Sequence, residues 1–295
     1  MARIAIVGVG AVGGVMAAWL EKTGVHDVML CARRSLGNIH VITPEGQLIV
    51  RSPVVTEPTL ASPVDWVMVA TKTYDSAGAG AWLKRLAGHG APVAILQNGV
   101  EHHARFMPFL PSAQIVPIMV DCPAERLTAS RTLQRATARM TVQDDVLGRQ
   151  FAELFTGTTV EVSLTPDFKS AVWRKLCVNA AGVVSGLLLQ PAGVMQDEQV
   201  GELCRQLVRE CIAVGRAEGA DLNDSLADSV LAGYRTAPPD SINSLHADRL
   251  AGRITEIDAR NGVVVRLGRK HGIATPSNQM AVALIEAMTR ATKSA

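Results

Sequence analysis

The sequence is poor in aromatic residues, 4% of its 295 positions, and carries almost no excess of either charge, with a formal net charge of +2. Lysines and arginines are scattered without a run of five or more, so the basic footprint of a nucleic-acid binder is missing and no nucleic-acid partner is expected. No stretch of 18 uninterrupted apolar residues occurs, so no membrane span is expected. No three-part signal peptide is recognisable either, and a cytoplasmic location is the expectation. Five cysteines (Cys31, Cys122, Cys177, Cys204 and Cys211) include no C-x-x-C pair, and their odd number argues against a disulfide framework and for buried thiols in a reducing compartment. Cys204 and Cys211 fall on one face of an expected helix, where core packing is the plain reading. Seven histidines, among them His102 and His103, show no metal-ligand spacing, and no metal is expected. Hydrophobic residues at 48% and charged residues at 19% make a soluble globular mixture, long enough for two domains.

What is present begins at the third residue. Arg3 to Gly14 reads RIAIVGVGAVGG: an apolar run, Ile4 to Val7, then Gly8, Gly10 and Gly13 in the spacing G-x-G-x-x-G, then a helical pattern from Ala11 to Lys22. Strand, tight turn and helix in that order make a dinucleotide-binding unit. Gly8 permits the turn, Gly10 lets the backbone approach a pyrophosphate, and Gly13 lets helix and strand pack closely. The N–H groups of the stretch Gly8, Val9, Gly10, Ala11, Val12 and Gly13 then face the phosphates. A second strand, Val28 to Cys31, follows at the distance such a unit requires, which favours this reading over a glycine turn that binds nothing.

The end of that second strand selects the cofactor. No acidic residue lies between Leu30 and Asn38, while Arg33 and Arg34 do. A carboxylate there would accept from the adenosine ribose hydroxyls and select NAD; an arginine pairs with a 2′-phosphate and selects NADP. NADP is therefore the expected cofactor and Arg33 its contact, with two solvated surface arginines as the plain alternative. Ile39 to Thr43 and Gln47 to Val50 flank Pro44-Glu45-Gly46 as a hairpin, expected as an insertion at the domain edge.

Trp66 to Ala70 reads as a buried parallel strand ending in Thr71-Lys72-Thr73. Ligands lie outside the carboxyl ends of such strands, so Lys72 is placed for a phosphate or carboxylate, if it is not simply solvated. Pro92 to Leu96 is the next strand and runs into Gln97-Asn98-Gly99. The amide of Asn98 can serve a carbonyl, a ribose or a carboxamide, or can satisfy its own turn. Ile115 to Val120 is a further strand, Leu133 to Val142 short strands with Arg135 and Arg139 exposed, Asp144 to Phe155 a helix and Val160 to Val162 a last strand. The apolar period changes after Thr165-Pro166-Asp167, dividing the chain into domains 1–166 and 167–295.

The second domain is helical throughout, with helices expected at 168–189, 197–219, 223–235, 244–251, 253–271 and 277–292. A Rossmann domain followed by a helical one leads to the expectation of a substrate cleft. The helices 168–189 and 253–271 are candidates for a homodimer face or for the domain core, and spacing does not separate the two. Lys175 and Asn179 are four apart and share one helix face in apolar surroundings. A lysine there is costly to bury without a partner or a task. Desolvation would lower its pKa and suit it to proton donation, unless it snorkels to the surface. Glu256 is open to three readings: a partner for Lys175, a contact to a cofactor hydroxyl, or a solvated carboxylate. Ser244 stands where a helix begins, and an N-cap is its plain role.

GVGAVGG at 8–14, Lys72, QNG at 97–99, WRKLCVN at 173–179, Ser244 and TEID…NG at 255–262 occur in one order and spacing. In these residues the chain resembles the ketopantoate reductases (2-dehydropantoate 2-reductases) over essentially its full length. The resemblance implies an α/β fold, with an N-terminal Rossmann-type NADP-binding domain and an all-helical C-terminal domain of the 6-phosphogluconate dehydrogenase type. It implies reduction of a 2-keto acid, ketopantoate, to pantoate on the route to coenzyme A. Lys175 is then the catalytic acid, Asn98 touches both cofactor and substrate, Asn179 and Ser244 hold the substrate, Glu256 contacts the cofactor and Lys72 lies close to either.

Two positions depart from the resemblance. Val183 and Ser241 stand where resembling chains carry asparagines that grip the substrate. Each lost hydrogen-bonding group can cost on the order of 1–3 kcal/mol, so the chemistry is expected to persist while the substrate can differ. The alternatives are a reductase or dehydrogenase of another keto or hydroxy acid, and a non-catalytic NADP sensor. An intact Lys175, Asn98 and Glu256 set argues against the sensor.

Overall fold

The computed structural model describes residues 1–294, and the chain divides into two compact units, Met1–Phe168 and Lys169–Ala295.

The first unit opens with β1 (Arg3–Val7), β2 (Asp27–Cys31), β3 (Ile39–Thr43), β4 (Gly46–Val50), β5 (Val54–Val55), β6 (Trp66–Val69), β7 (Val93–Ile95) and β8 (Ile115–Pro117). Six of these form one sheet in the order β5-β2-β1-β6-β7-β8, with every neighbouring pair parallel. Its strands read as continuous apolar runs because both faces are covered. Ile4, Ile6, Trp66, Met68 and Ala94 point into one core, while Ala5, Val7, Val67, Val69, Val93 and Ile95 point into the other. The strand order reverses between β1 and β6. That reversal opens a crevice at their carboxyl ends, which is where such sheets bind ligands.

The helices of this unit are α1 (Ala11–Thr23), α2 (Ser76–Leu86), α3 (His102–Phe106) and α4 (Val146–Glu153). α1 is buried at every position from Gly13 to Leu20, so its sequence has no polar stripe. The strands β9 (Met119–Asp121), β10 (Ala124–Thr128), β11 (Arg131–Gln134), β12 (Arg139–Gln143) and β13 (Glu161–Thr165) help to explain why. A four-stranded sheet, β10-β11-β3-β4, lies on the side of α1 away from the parallel sheet. The Trp19 indole donates to the buried Gln134 side chain at 2.9 Å. A Cβ on Gly14 would stand 3.4 Å from the Thr132 hydroxyl. The hairpin expected as an edge insertion, β3-β4, is therefore half of the cover that buries α1.

The single strand expected over Ile115–Val120 is two. β8 ends at Pro117, on the sheet edge where a missing N–H is tolerated. β9 then turns into a separate three-stranded sheet, β13-β12-β9.

The second unit consists of α5 (Phe168–Ala181), α6 (Val183–Leu188), α7 (Glu198–Ala217), α8 (Leu226–Thr236), α9 (Ser244–Leu250), α10 (Val263–His271) and α11 (Pro276–Ser294). Its core includes Trp173, Leu176, Cys177, Ala180, Val208, Cys211, Val263 and Ile285. By length and composition Phe168–Leu188 could cross a membrane, but 61% of that window is buried inside the fold. Two expected helices differ. The 168–189 segment breaks at Gly182 into α5 and α6, and 253–256 is irregular, the helix entering through a π-helical turn, Asp258–Gly262. Cys31, Cys177, Cys204 and Cys211 are buried and Cys122 is half-buried.

Candidate active site

The crevice of the parallel sheet is shaped by its three glycines, each for a different reason. Gly8 has φ +96°, and a Cβ there would stand 2.7 Å from the Thr71 backbone nitrogen on the neighbouring strand end. Gly13 admits no side chain because a Cβ would run into the Gly8 carbonyl oxygen. A Cβ on Gly10, by contrast, would meet nothing within 4 Å. That open side is where a ligand can approach the backbone. α1 begins there with no side-chain cap and no acidic residue in its first turn. The N–H groups of Ala11, Val12 and Gly13 have no acceptor within the helix, and with its dipole they make a site for an anion.

The loops after β6 and β7 are tied together by a residue the sequence reading passed over. Gln97 is 4% exposed. Its amide nitrogen donates to Thr71 Oγ1 at 2.9 Å and to the Lys72 carbonyl at 3.3 Å. Its amide oxygen accepts from Ser76 Oγ at 3.0 Å and Arg105 Nη1 at 3.2 Å. The backbone of Lys72 is thereby fixed to the chain one residue before Asn98. His102, also buried, lies 2.9 Å from the Gln97 carbonyl through Nε2; a carbonyl only accepts, so Nε2 carries the hydrogen. Burial pushes the pKa of this imidazole down to about 4, against a smaller upward pull from that bond. Asn98 and Lys72 are both half-buried, and Gly99, at φ +96°, supplies the turn that follows Asn98.

Arg33 stands beyond β2 with an 87% exposed side chain, 3.6 Å from Asp75 Oδ2. An ion pair so exposed is worth about 0–1 kcal/mol, too little to keep the guanidinium from a phosphate.

In the helical unit, Lys175 and Asn179 are both half-buried one turn apart on α5. The break at Gly182 explains how Asn179 is held. A helix end leaves carbonyls without intrahelical partners. Here side chains from elsewhere in the unit reach four of the carbonyls around the break: Arg260 donates to Asn179 O at 2.6 Å and Asn261 to Ala180 O at 3.1 Å, while Tyr234 at 2.9 Å and Asn243 at 2.8 Å add to Val178 O and Gly182 O, which also accept from Gly182 N and Gly186 N. A Cβ at 182 would come within 2.6 Å of the Tyr234 hydroxyl, so glycine is required at the joint.

Asn243 also corrects the plain role of Ser244. The side chain of Asn243 accepts from Leu245 N and His246 N at 3.0 and 3.1 Å, so Asn243 is the N-cap of α9. Ser244 is the first helical residue, exposed, with its hydroxyl 3.5 Å from Arg260 Nη1. Glu256 is 6% exposed, immediately before the helical stretch that starts at Ile257.

Sequence models of ketopantoate reductase PanE/ApbA match residues 4–145, and those of its C-terminal domain match 167–289. A 2-dehydropantoate 2-reductase of Caulobacter vibrioides is 51% identical over 97% of this chain and 99% of its own. A PanE/ApbA family ketopantoate reductase from Ralstonia eutropha superposes with a TM-score of 0.90, at 27% identity over 99% of both chains. The chain belongs to the ketopantoate reductase family. A more distant structure, D-mandelate dehydrogenase with NADH and anilino(oxo)acetate, shares the fold, with a TM-score of 0.89 at 20% identity over 99% of both chains.

Membership makes this an oxidoreductase that uses a nicotinamide dinucleotide. The glycine turn fits that cofactor on its own geometry: an open approach at Gly10, an uncapped helix start and no acidic residue to repel a pyrophosphate. Among the described residues no group of three or more His, Cys, Asp or Glu is placed to hold a metal ion. The two positions at which the resemblance led to the expectation of asparagine are also placed. Val183 is fully buried at the start of α6, and Ser241 is half-buried two residues before the α9 cap. Gln97, Asn243 and Arg260 are the polar residues that sequence reading missed. Only Gln97 left a signal, its position at a strand end beside Asn98. Asn243 and Arg260 act on backbone carbonyls about 60 and 80 residues away in the chain, which no local pattern reveals.

Proposed function

We propose that this chain reduces the keto group of ketopantoate, giving pantoate, with NADPH as the reductant and Lys175 as the proton donor. The observation that carries the reading is the occurrence, in one member of this family, of an uncapped helix start behind Gly10 and a half-buried lysine, Lys175, on the helix face of Asn179. The backbone N–H groups of Ala11, Val12 and Gly13, at the end of the glycine turn, would hold the pyrophosphate. Lys72, Asn98 and Glu256 complete the cofactor contacts, and Arg33 exchanges its weak pair with Asp75 for the 2′-phosphate. Bound in that way, the reduced nicotinamide supplies a hydride to the ketone carbon. The ammonium of Lys175 donates a hydrogen bond to the ketone oxygen and transfers its proton as negative charge develops there. Asn179 and Ser244 orient the keto acid, and Asn98 aligns its carbonyl.

The test is NADPH oxidation by the purified chain with ketopantoate beside a set of bulkier 2-keto acids, repeated with NADH. The highest kcat/KM is expected for ketopantoate with NADPH. Replacing Arg33 with alanine should lower the preference for NADPH over NADH by about tenfold, as for loss of one charge-assisted contact. Equal use of NADH by the unaltered chain would remove Arg33 from its role. A larger keto acid turned over faster would make the fully buried Val183 the mark of a different substrate.

A further inference from the structure

Asp145 and Asp197 cap the helices they precede. Asp145 accepts from Gly148 N at 2.7 Å, and Asp197 accepts from Gln199 N and Val200 N at 2.9 and 3.0 Å. Asp75 stands at the same position before α2, and its side chain makes no capping bond. The backbone explains the difference. A capping residue is extended, as Asp145 and Asp197 are. Asp75, at φ −99° and ψ 11°, is not, because the 3₁₀ turn Thr73–Asp75 runs straight into the helix. Its carboxylate is turned toward Arg33 instead, with 3.6 Å between Oδ2 and Nη2.

Arg33 and Asp75 come from opposite sides of the glycine turn. β2 and β6 are the two neighbours of β1, which sets them about 10 Å apart at the usual strand spacing. Arg33 follows β2 and Asp75 follows β6, so the ion pair reaches across the carboxyl end of β1, where Gly8 begins the turn. The two partners are held differently. Arg33 is exposed on the irregular chain after β2. Asp75 belongs to a turn closed by its own N–H on the Lys72 carbonyl at 2.9 Å and by Ser76 Oγ on the Thr73 carbonyl at 2.7 Å. The buried Gln97 side chain ties down both the Lys72 carbonyl and Ser76 Oγ. The carboxylate therefore has a fixed place, and the long arginine adapts to it. The acidic group that the end of β2 lacks is brought to the same side chain by the end of β6.

We propose that Asp75 sets the cofactor preference jointly with Arg33, opposing the 2′-phosphate of NADPH and accepting a hydrogen bond from the 2′-hydroxyl of NADH. The proposal rests on the NADPH reading above, in which Arg33 takes the 2′-phosphate, and adds the residue that works against it. A phosphate paired with Arg33 lies close to the fixed carboxylate, and two negative charges about 4 Å apart repel even in water. A ribose hydroxyl at that place is a donor, and a carboxylate is an acceptor. One residue thus pulls the two cofactors in opposite directions, and Arg33 alone does not decide between them.

Fluorescence titration of NADPH and of NADH into the full chain, at low ionic strength and again in about 1 M salt, tests this. Asp75→Asn keeps the shape of the side chain and loses its charge. In that variant the preference for NADPH over NADH should rise about fivefold, the factor for two unit charges about 4 Å apart in water. Asp75→Glu keeps the charge and should leave the preference within about twofold of the unaltered chain. The rise in the asparagine variant should shrink in the high salt, where the screening length is about 3 Å. A preference unchanged in Asp75→Asn would overturn the proposal. So would NADPH and NADH affinities that change together, an equal rise in Asp75→Glu, or a rise that salt leaves untouched. The NADPH reading fails on different results: an unaltered chain that prefers NADH, or a preference that Arg33→Ala does not lower. Asp75→Asn should still move the ratio toward NADPH in that case, and a ratio that stays put would then overturn the Asp75 proposal as well. If neither nucleotide bound, both would fall.

Discussion

The glycine turn of the first unit and the polar face of the helical unit reach the same end, polar groups held in place for a ligand, by opposite means. In the first, the groups are the backbone N–H donors of Ala11, Val12 and Gly13, and what makes them available is what is missing: a side chain at Gly10, a cap at the start of α1. The Gly8 N–H, expected to face the phosphates as well, is taken by the Cys31 carbonyl at 3.0 Å. In the second, the groups are side chains on separate helices. They are fixed by other side chains that reach the carbonyls around the end of α5, from Tyr234, Asn243, Arg260 and Asn261. The first design depends on chain geometry and tolerates few substitutions. The second depends on a network of separate side chains, and it is in that unit that Val183 and Ser241 stand where the resemblance led to the expectation of asparagines.

The sharpest way to break that contrast is at Lys175. If the helical unit supplies the proton and the glycine turn holds the cofactor, Lys175→Ala should lower kcat by a hundredfold to ten-thousandfold, the range for a lost general acid. NADPH affinity, followed by quenching or enhancement of nicotinamide fluorescence, should stay within a few fold. Full turnover in the variant would remove the proposed proton donor. A parallel loss of NADPH binding would erase the separation of tasks.

The same contrast explains what was legible in the sequence. Gly8, Gly10, Gly13, the β2 end with Arg33, and the strand ends carrying Lys72 and Asn98 could be placed, because each function is local to a strand and its turn. Lys175 and Asn179 could be paired because they are four residues apart on one helix. The break at Gly182 was invisible, since a glycine within an apolar helical pattern is a weak signal. Its necessity comes from Tyr234, 52 positions away in the sequence. Ser244 was assigned a capping role that Asn243 performs, a one-residue ambiguity that only the bonds to Leu245 N and His246 N resolve. The hairpin β3-β4 looked peripheral because the burial of α1 on its second side depends on strands some 80 residues further along the chain.

In the first unit the strand-end loops are held through a neutral histidine, and pH should reveal this. The pKa of His102 is about 4 when folded and near 6.5 when unfolded. Between these values the unfolded chain binds a proton that the folded chain refuses. The stabilising preference for the neutral ring is thus fully present above pH 6.5 and is lost as pH falls toward 4. At its limit the loss is about 3 kcal/mol, from some 2.5 pH units at 1.36 kcal/mol each. His102→Gln should show a shallower fall in melting temperature over that interval than the unaltered chain. Parallel curves for the two proteins would mean that His102 is not the group responsible, leaving the other lowered histidines, His26, His103 and His246, to account for any acid sensitivity.

The smallest expected effect separates two jobs done by one residue in the helical unit. Asn243 caps α9 with its side-chain oxygen and satisfies the Gly182 carbonyl with its nitrogen. Asn243→Ala removes both, and should cost about 1–2 kcal/mol for the cap alone, with a further share for the carbonyl left in a crowded joint. Asn243→Asp keeps the cap but has no donor for Gly182 O, so the difference between the two variants isolates the joint. A melting temperature lowered by several degrees in the alanine variant, and by less in the aspartate variant, is the expected order. If the aspartate variant were as stable as the unaltered chain, the Gly182 bond would contribute nothing net. The side-chain network at the end of α5 would then rest on Tyr234, Arg260 and Asn261, and the polar face of the helical unit would be held by fewer ties than its geometry displays.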